Sequence, residues 1–138
     1  MLIESDVLVA YFKKEDWLKS SAEKVLNRVI RGELGQVITD SEVIHEFYYV
    51  FREYTTTIKI QEIITYLFTL KNIQIVPVST EHYLAALTIM ETYKVSSIFD
   101  AIHAAVALSN ENPDKIIIST DNVYDRISDL KRIDPRDI

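Results

Sequence analysis

The sequence predicts an α/β fold of three layers, α/β/α, around a short central parallel sheet. Short, mostly apolar strand-like segments alternate with helical stretches, the pattern of parallel strands covered on both faces. The 138 residues are 48% hydrophobic, enough for a single domain, 1–138, with its own core and no need of staples. Carboxylates stand where strands end, and in such sheets the functional cleft lies beyond the carboxyl ends of the strands.

The elements follow in order. A strand over 2–5 leads into a helical stretch beginning at Val7. Leu18, Ala22, Val25, Leu26, Val29 and Ile30 recur at helical spacing and predict an amphipathic helix over 17–31, with Lys24, Arg28 and Arg31 on its other face. Gly32 and Gly35, the two glycines of the chain, fall where that helix ends and a strand over 36–39 begins. Asp40 or Ser41 is suited to cap the next helix, which carries Glu46 and continues to Tyr54. A helix over 58–70 precedes a strand over Ile73–Val76, closed by Pro77. Ser79 or Thr80 opens a helix to Tyr93, and 98–110 forms another, rich in alanine for close packing. Asn112-Pro113-Asp114 turns into the strongest strand, 115–119; a short helix and an edge strand over 132–134 end the chain.

Composition excludes several chemistries. Without cysteine there is no thiol nucleophile, thiolate zinc site or disulfide, which fits a reducing, cytoplasmic setting. Two glycines cannot build a P-loop or a dinucleotide-binding turn. No apolar run approaches the roughly 20 residues of a membrane span, so no membrane partner is expected. The formal charge of −6 argues at first sight against nucleic acid. If Glu4, Asp6, Glu46, Asp100 and Asp121 share one pocket they account for −5 of it, and the remaining surface carries only −1.

Those five acids carry the functional reading. Asp100 lies on the apolar helix segment Phe99-Asp100-Ala101-Ile102-His103-Ala104-Ala105, Asp121 follows the strand Ile116-Ile117-Ile118-Ser119-Thr120, and Glu46 sits among Val43, Ile44, Phe47 and Val50. Glu4 and Asp6 end the first strand. Each has a plain structural role: Asp121 as a helix cap, Asp100 as a first-turn acid serving the helix dipole, Glu46 as an exposed mid-helix acid, Glu4 and Asp6 as a surface acid and a cap. Taken together, all five fall at the cleft end of the predicted sheet. An unpaired buried carboxylate loses several kcal/mol of solvation, and closely spaced carboxylates repel one another unless a cation is present. Oxygen ligands without cysteine select Mg²⁺ or Mn²⁺, whose matching chemistry is phosphodiester hydrolysis.

Other residues are secondary. His103, one turn after Asp100, is read as a supporting histidine that packs against the site or orients Asp100. His45 points to another helix face than Glu46, and His82 is assigned to the surface. Ser119 either hydrogen-bonds water at the cation or ends the strand. The Lys24, Arg28 and Arg31 face offers itself as an RNA-contact strip, although a solvated helix face accounts for it as well; no residue is assigned to RNA binding.

In this order, the motifs resemble the PIN-domain family of metal-dependent ribonucleases, and in particular the small VapC-type toxins. Ile3-Glu4-Ser5-Asp6 followed by Val7-Leu8-Val9-Ala10 is similar to the opening strand and turn; Ser41-Glu42-Val43-Ile44-His45-Glu46-Phe47 to the helix bearing the family's Glu; Asp100-Ala101-Ile102-His103-Ala104-Ala105 and Ser119-Thr120-Asp121 to the segments of its last two acids. The resemblance spans nearly the whole chain. It implies a PIN-like fold and a Mg²⁺- or Mn²⁺-dependent endoribonuclease, with Glu4, Asp6, Glu46, Asp100 and Asp121 as catalytic and metal-holding residues. It also implies RNA as substrate, a cognate antitoxin protein and a homodimer. One position departs: Glu4 falls where the family keeps an Asp. The alternative is therefore a catalytically weakened or inactive PIN-like module that binds RNA or a protein partner.

Overall fold

The computed structural model describes residues 1–138. Five parallel strands, β1 (Leu2–Ile3), β2 (Val37–Asp40), β3 (Ile73–Val76), β4 (Ile116–Ile118) and β5 (Lys131–Ile133), form one sheet in the order β3-β2-β1-β4-β5. Six helices connect them: α1 (Ser5–Phe12), α2 (Lys19–Ile30), α3 (Val43–Phe51), α4 (Thr57–Thr69), α5 (Thr80–Tyr93) and α6 (Ile98–Ala107). This is the expected α/β/α arrangement.

Strand side chains alternate between two cores, which is why the strands read as apolar at nearly every position. Ile3, Val37 and Ile118 pack with α1 to α4 through Val7, Leu8, Val25, Leu26, Phe47 and Leu67. Leu2, Ile38 and Ile117 pack on the opposite face with Ala86 and Ile89 of α5 and with the alanines of α6. Ala101, Ala104, Ala105 and Ala107 are buried, so the small side chains of α6 let it lie close against α5 and β4.

Topology positions the cleft. Connections through β3 carry α1 to α4 on one face, and the chain then crosses to β4 on the far side of β1 through α5 and α6 on the other. The order of winding reverses between β1 and β4, the place where open α/β sheets leave a crevice at the strand ends. Pairing of Ile3 with Ile118 sets Glu4 beside Ser119 there.

Several boundaries differ from the sequence expectation for local reasons. β1 stops at Ile3 because Glu4 N–H makes the last ladder bond, to the Ile118 carbonyl at 3.1 Å, and the helix starts at Ser5 rather than Val7 with Glu4 as its cap. α3 ends at Phe51, not Tyr54. α6 ends at Ala107, where the Asn112 side chain takes the Ala107 carbonyl at 2.7 Å. Neither Asp40 nor Ser41 caps α3. The Ser41 hydroxyl accepts from Val78 N–H, and Asp40 accepts from Glu42 N–H while turning its other oxygen inward. His82 is buried rather than on the surface, because it completes a capping box with Ser79 at the start of α5. Gly32 and Gly35 take the expected helix-ending role with φ of 78° and 70°.

Ile118 is fully buried beneath α1 on the strand that leads into the cleft. Ile118→Ala is expected to cost about 3 kcal/mol in urea unfolding, the usual scale for a truncated core aliphatic; a loss below about 1 kcal/mol would mean that β4 does not anchor the sheet.

Candidate metal centre

Four segments deliver acids to the β1/β4 crevice. Glu4 follows β1, with Asp6 in the first turn of α1; Glu46 lies in the first turn of α3; Asp100 in the first turn of α6; and Asp121 follows β4. Helix N-termini carry partial positive charge, so three helices offset part of the acids' repulsion.

A continuous hydrogen-bonded chain runs through the deepest part. Ser119 donates to Glu4 Oε2 at 2.9 Å, and the Ser5 hydroxyl lies 2.7 Å from Glu4 Oε1 while also contacting Glu46 Oε2. His103 Nε2 meets Glu46 Oε1 at 2.6 Å and stands 3.7 Å from Glu4, and its Nδ1 meets Asp40 Oδ2 at 2.7 Å. Burial is nearly complete, with Asp40 and His103 at 0% exposure and Glu4 at 5%. Ser5 has a single proton to share between two carboxylates.

Burial and then the neighbouring Asp6 push the Glu4 carboxyl well above the usual carboxylate range, with His103 opposing them. Burial alone lowers the His103 imidazole, but Asp40, Glu46 and Glu4 outweigh it and hold it well above the ordinary histidine value. Burial raises Asp100 too, followed by the charge of Asp121.

The remaining acids sit around this chain. Asp6 Oδ2 accepts from Thr120 N–H at 2.8 Å and Thr120 Oγ1–H at 2.6 Å. Asp121 is exposed and caps the 3-10 turn Asn122–Arg126 through Val123 N–H, while its own N–H donates to Ser119 Oγ. Asp100 faces Asp121 and Glu46 through charge alone. The expected capping role of Asp121 is present, and of the five acids only Glu4 and Glu46 bring donor atoms, with those of His103, within reach of a single ion. His103 does not orient Asp100; it engages Glu46 and Asp40. Glu46 is part-buried in the cluster rather than solvated.

Whether a cation suits these residues can be tested on what they leave unpaired. Asp6 Oδ1 and the Tyr124 hydroxyl are buried without a hydrogen-bond partner. Glu4, Asp100, Asp6 and Glu46 all bear electrostatically on Tyr124, and burial together with those charges raises its phenol. Orphaned buried oxygen beside crowded carboxylates fits a hard cation. Glu4, Glu46 and His103 also bring donor atoms within 4.8 Å of one another, close enough for one ion. Both His103 nitrogens are already engaged by carboxylates, so in this arrangement the oxygens are the available donors.

Asp40, Ser5 and Thr120 are participants that sequence reasoning did not single out. Asp40 carried a usable signal, an acid at the carboxyl end of a parallel strand like Glu4 and Asp121, but its suitability as a cap masked it. The Arg28 and Arg31 guanidiniums both pair with Glu33, at 3.1 and 2.6 Å, so one carboxylate offsets one of the three charges of the basic strip.

A family model described as the PIN domain matches residues 1–130. The chain belongs to the PIN domain family. Solved structures with the same fold include VapBC2 from Rickettsia felis bound to a DNA fragment from its promoter, with TM-score 0.70 and 15% identity, covering 96% of this chain and 96% of that one. A toxin-antitoxin complex from Klebsiella pneumoniae has TM-score 0.65 and 17% identity, with coverage of 97% and 96%. VapC20 of Mycobacterium tuberculosis, a sarcin-ricin-loop-cleaving toxin, has TM-score 0.67 and 13% identity, with coverage of 88% and 89%. At these identities the likeness is one of fold. A comparison with curated protein sequences finds no match. No helix of this PIN domain is long and apolar enough to cross a membrane.

Because Asp100 is raised, the folded protein binds its proton more tightly than the unfolded chain, so its ionised form opposes folding at neutral pH. That opposition is absent below the unfolded value near about pH 4, where both states are protonated. Metal-free Asp100→Asn is expected to be more stable than the parent at neutral pH by about 0.5 kcal/mol, a screened value for a part-exposed group, with the gain vanishing near about pH 4. Urea unfolding in EDTA measures it, and a variant less stable than the parent at neutral pH contradicts the crowding described.

Proposed function

We propose that this PIN domain is a Mg²⁺- or Mn²⁺-dependent endoribonuclease and the toxin of a VapBC-type pair. The observation that supports the reading is the buried, unpartnered Asp6 Oδ1 beside Glu4, with Glu46 joined to Glu4 through Ser5 and Asp100 under the charges of Asp121 and Glu46. These five side chains would hold the cation. When bound, a divalent ion supplies Lewis-acid activation of water and charge neutralisation at a phosphodiester.

The chain's own groups have definable tasks. Ser119 and Ser5 hold Glu4, and Thr120 holds Asp6 with one oxygen left free. Asp100 and Asp121, nearer the opening, face incoming substrate. The acids repel phosphate on their own, so productive RNA binding depends on the cation reversing the local sign. RNA as substrate is supported by the fold shared with a sarcin-ricin-loop-cleaving toxin. A cognate antitoxin is supported by the toxin-antitoxin complexes among the neighbours. Such an antitoxin would block the crevice with an Arg or Lys side chain competing with the metal. A homodimer in the cytoplasm completes the reading.

A second reading, a weakened or inactive module that binds RNA or a protein, is favoured by one observation. Glu4, one methylene longer than the Asp the resemblance implies there, stands at the first strand end.

Incubating the protein with structured RNA and Mg²⁺ or Mn²⁺ tests both. Cleavage is expected to stop in EDTA and to fall to background in Asp100→Asn; full activity in that variant sinks the assignment. If the parent is inert, Glu4→Asp restoring metal-dependent cleavage would identify a degraded site, whereas continued inertness would point to the binding module.

A further inference from the structure

Asp40 is an acid with no place in the reading above. It ends β2, is fully buried, and points its Oδ2 at His103 Nδ1 across 63 positions of sequence. A carboxylate in such a place loses much solvation, so it needs a partner, and His103 is that partner. The other ring nitrogen of His103 faces Glu46 Oε1 at 2.6 Å. Ionised carboxylates accept but do not donate, so an imidazole between two of them donates from both nitrogens and has no lone pair left for an ion.

The consequence falls on Glu46. A glutamate side chain is long and flexible, and ordering it costs rotamer freedom. Here His103 meets its Oε1, and its Oε2 contacts the Ser5 hydroxyl, whose one proton it shares with Glu4. His103 is itself fixed from behind by Asp40, whose Oδ1 is tied to Glu42 N–H at 3.0 Å. The last residue of β2 is thereby linked through α6 to the acid of α3.

Resting on the metal-site reading, we propose that Asp40 is a positioning residue which, through His103, sets the Glu46 carboxylate beside Glu4 for cation binding. Asp40 does not touch the cation or the substrate. Its effect passes through Glu46, which separates this role from a buried pair that merely ties β2 to α6.

The test is Mn²⁺ binding to the full chain, by calorimetry, for the parent, Asp40→Asn, Glu46→Gln and the double variant, with folding checked by urea unfolding. Asp40→Asn is expected to weaken Mn²⁺ by about 10-fold or more, the usual effect of removing a group that orients a metal ligand, and to add no further loss once Glu46 is Gln. His103→Gln is expected to show the same dependence and takes the place of Asp40→Asn if that variant does not fold. Equal losses with and without Glu46 would overturn the proposal, as would an Asp40→Asn protein that binds Mn²⁺ as the parent does. A parent that binds no Mn²⁺ would overturn the metal-site reading, and the proposal with it.

Discussion

Everything near the crevice is organised around the burial of Glu4, a carboxylate held below the surface with Asp6 and Glu46 close to it. Glu4 lacks the aqueous shell that normally screens a carboxylate, and Glu46 keeps only part of its own. The structure offsets this with a shared Ser5 hydroxyl, a His103 imidazole placed against both, Ser119 behind Glu4, and the N-termini of three helices. Burial and then Asp6 raise Glu4, burial and then Asp121 raise Asp100, and His103 is held up against its own burial by Asp40, Glu46 and Glu4. Crowding of this kind is tolerated at a site for which a cation is the natural complement.

The sheet makes the crowding possible. Strands as short as two and three residues leave little room between the ladder and the helices. The last ladder residue of β1 is therefore immediately followed by a cap, and the cap is Glu4. The register that pairs Ile3 with Ile118 brings Glu4 to Ser119, and the reversal of strand order at β1 and β4 opens the space above them. The two apolar cores hold this frame so that a few polar side chains can be strained without loosening the fold.

Much of this was legible in the chain. Alternating strand and helix signals, the positive-φ glycines at Gly32 and Gly35, the alanines of the 98–107 helix and the acids at strand ends all report local requirements that a sequence states directly. His82 and Asp40 were misread for a common reason. Each offers two roles: Asp40 suits a cap, but only distant packing shows that it pairs with His103, while His82 suits the surface yet closes a capping box on Ser79 three residues before it. The orphaned Tyr124 hydroxyl carried no signal, because an apolar ring three residues after Asp121 serves a core equally well with or without its oxygen.

By itself the sequence determined the layers, the mostly apolar strands and the identity of the acids, since hydrophobic period and residue chemistry are local properties. Tertiary structure alone decided the strand order, and with it which strand ends meet. It also decided that His103 turns to Glu46 and Asp40 rather than to Asp100. Those outcomes depend on contacts spanning from 57 to 115 positions of chain, and no local pattern encodes where the far partner will lie.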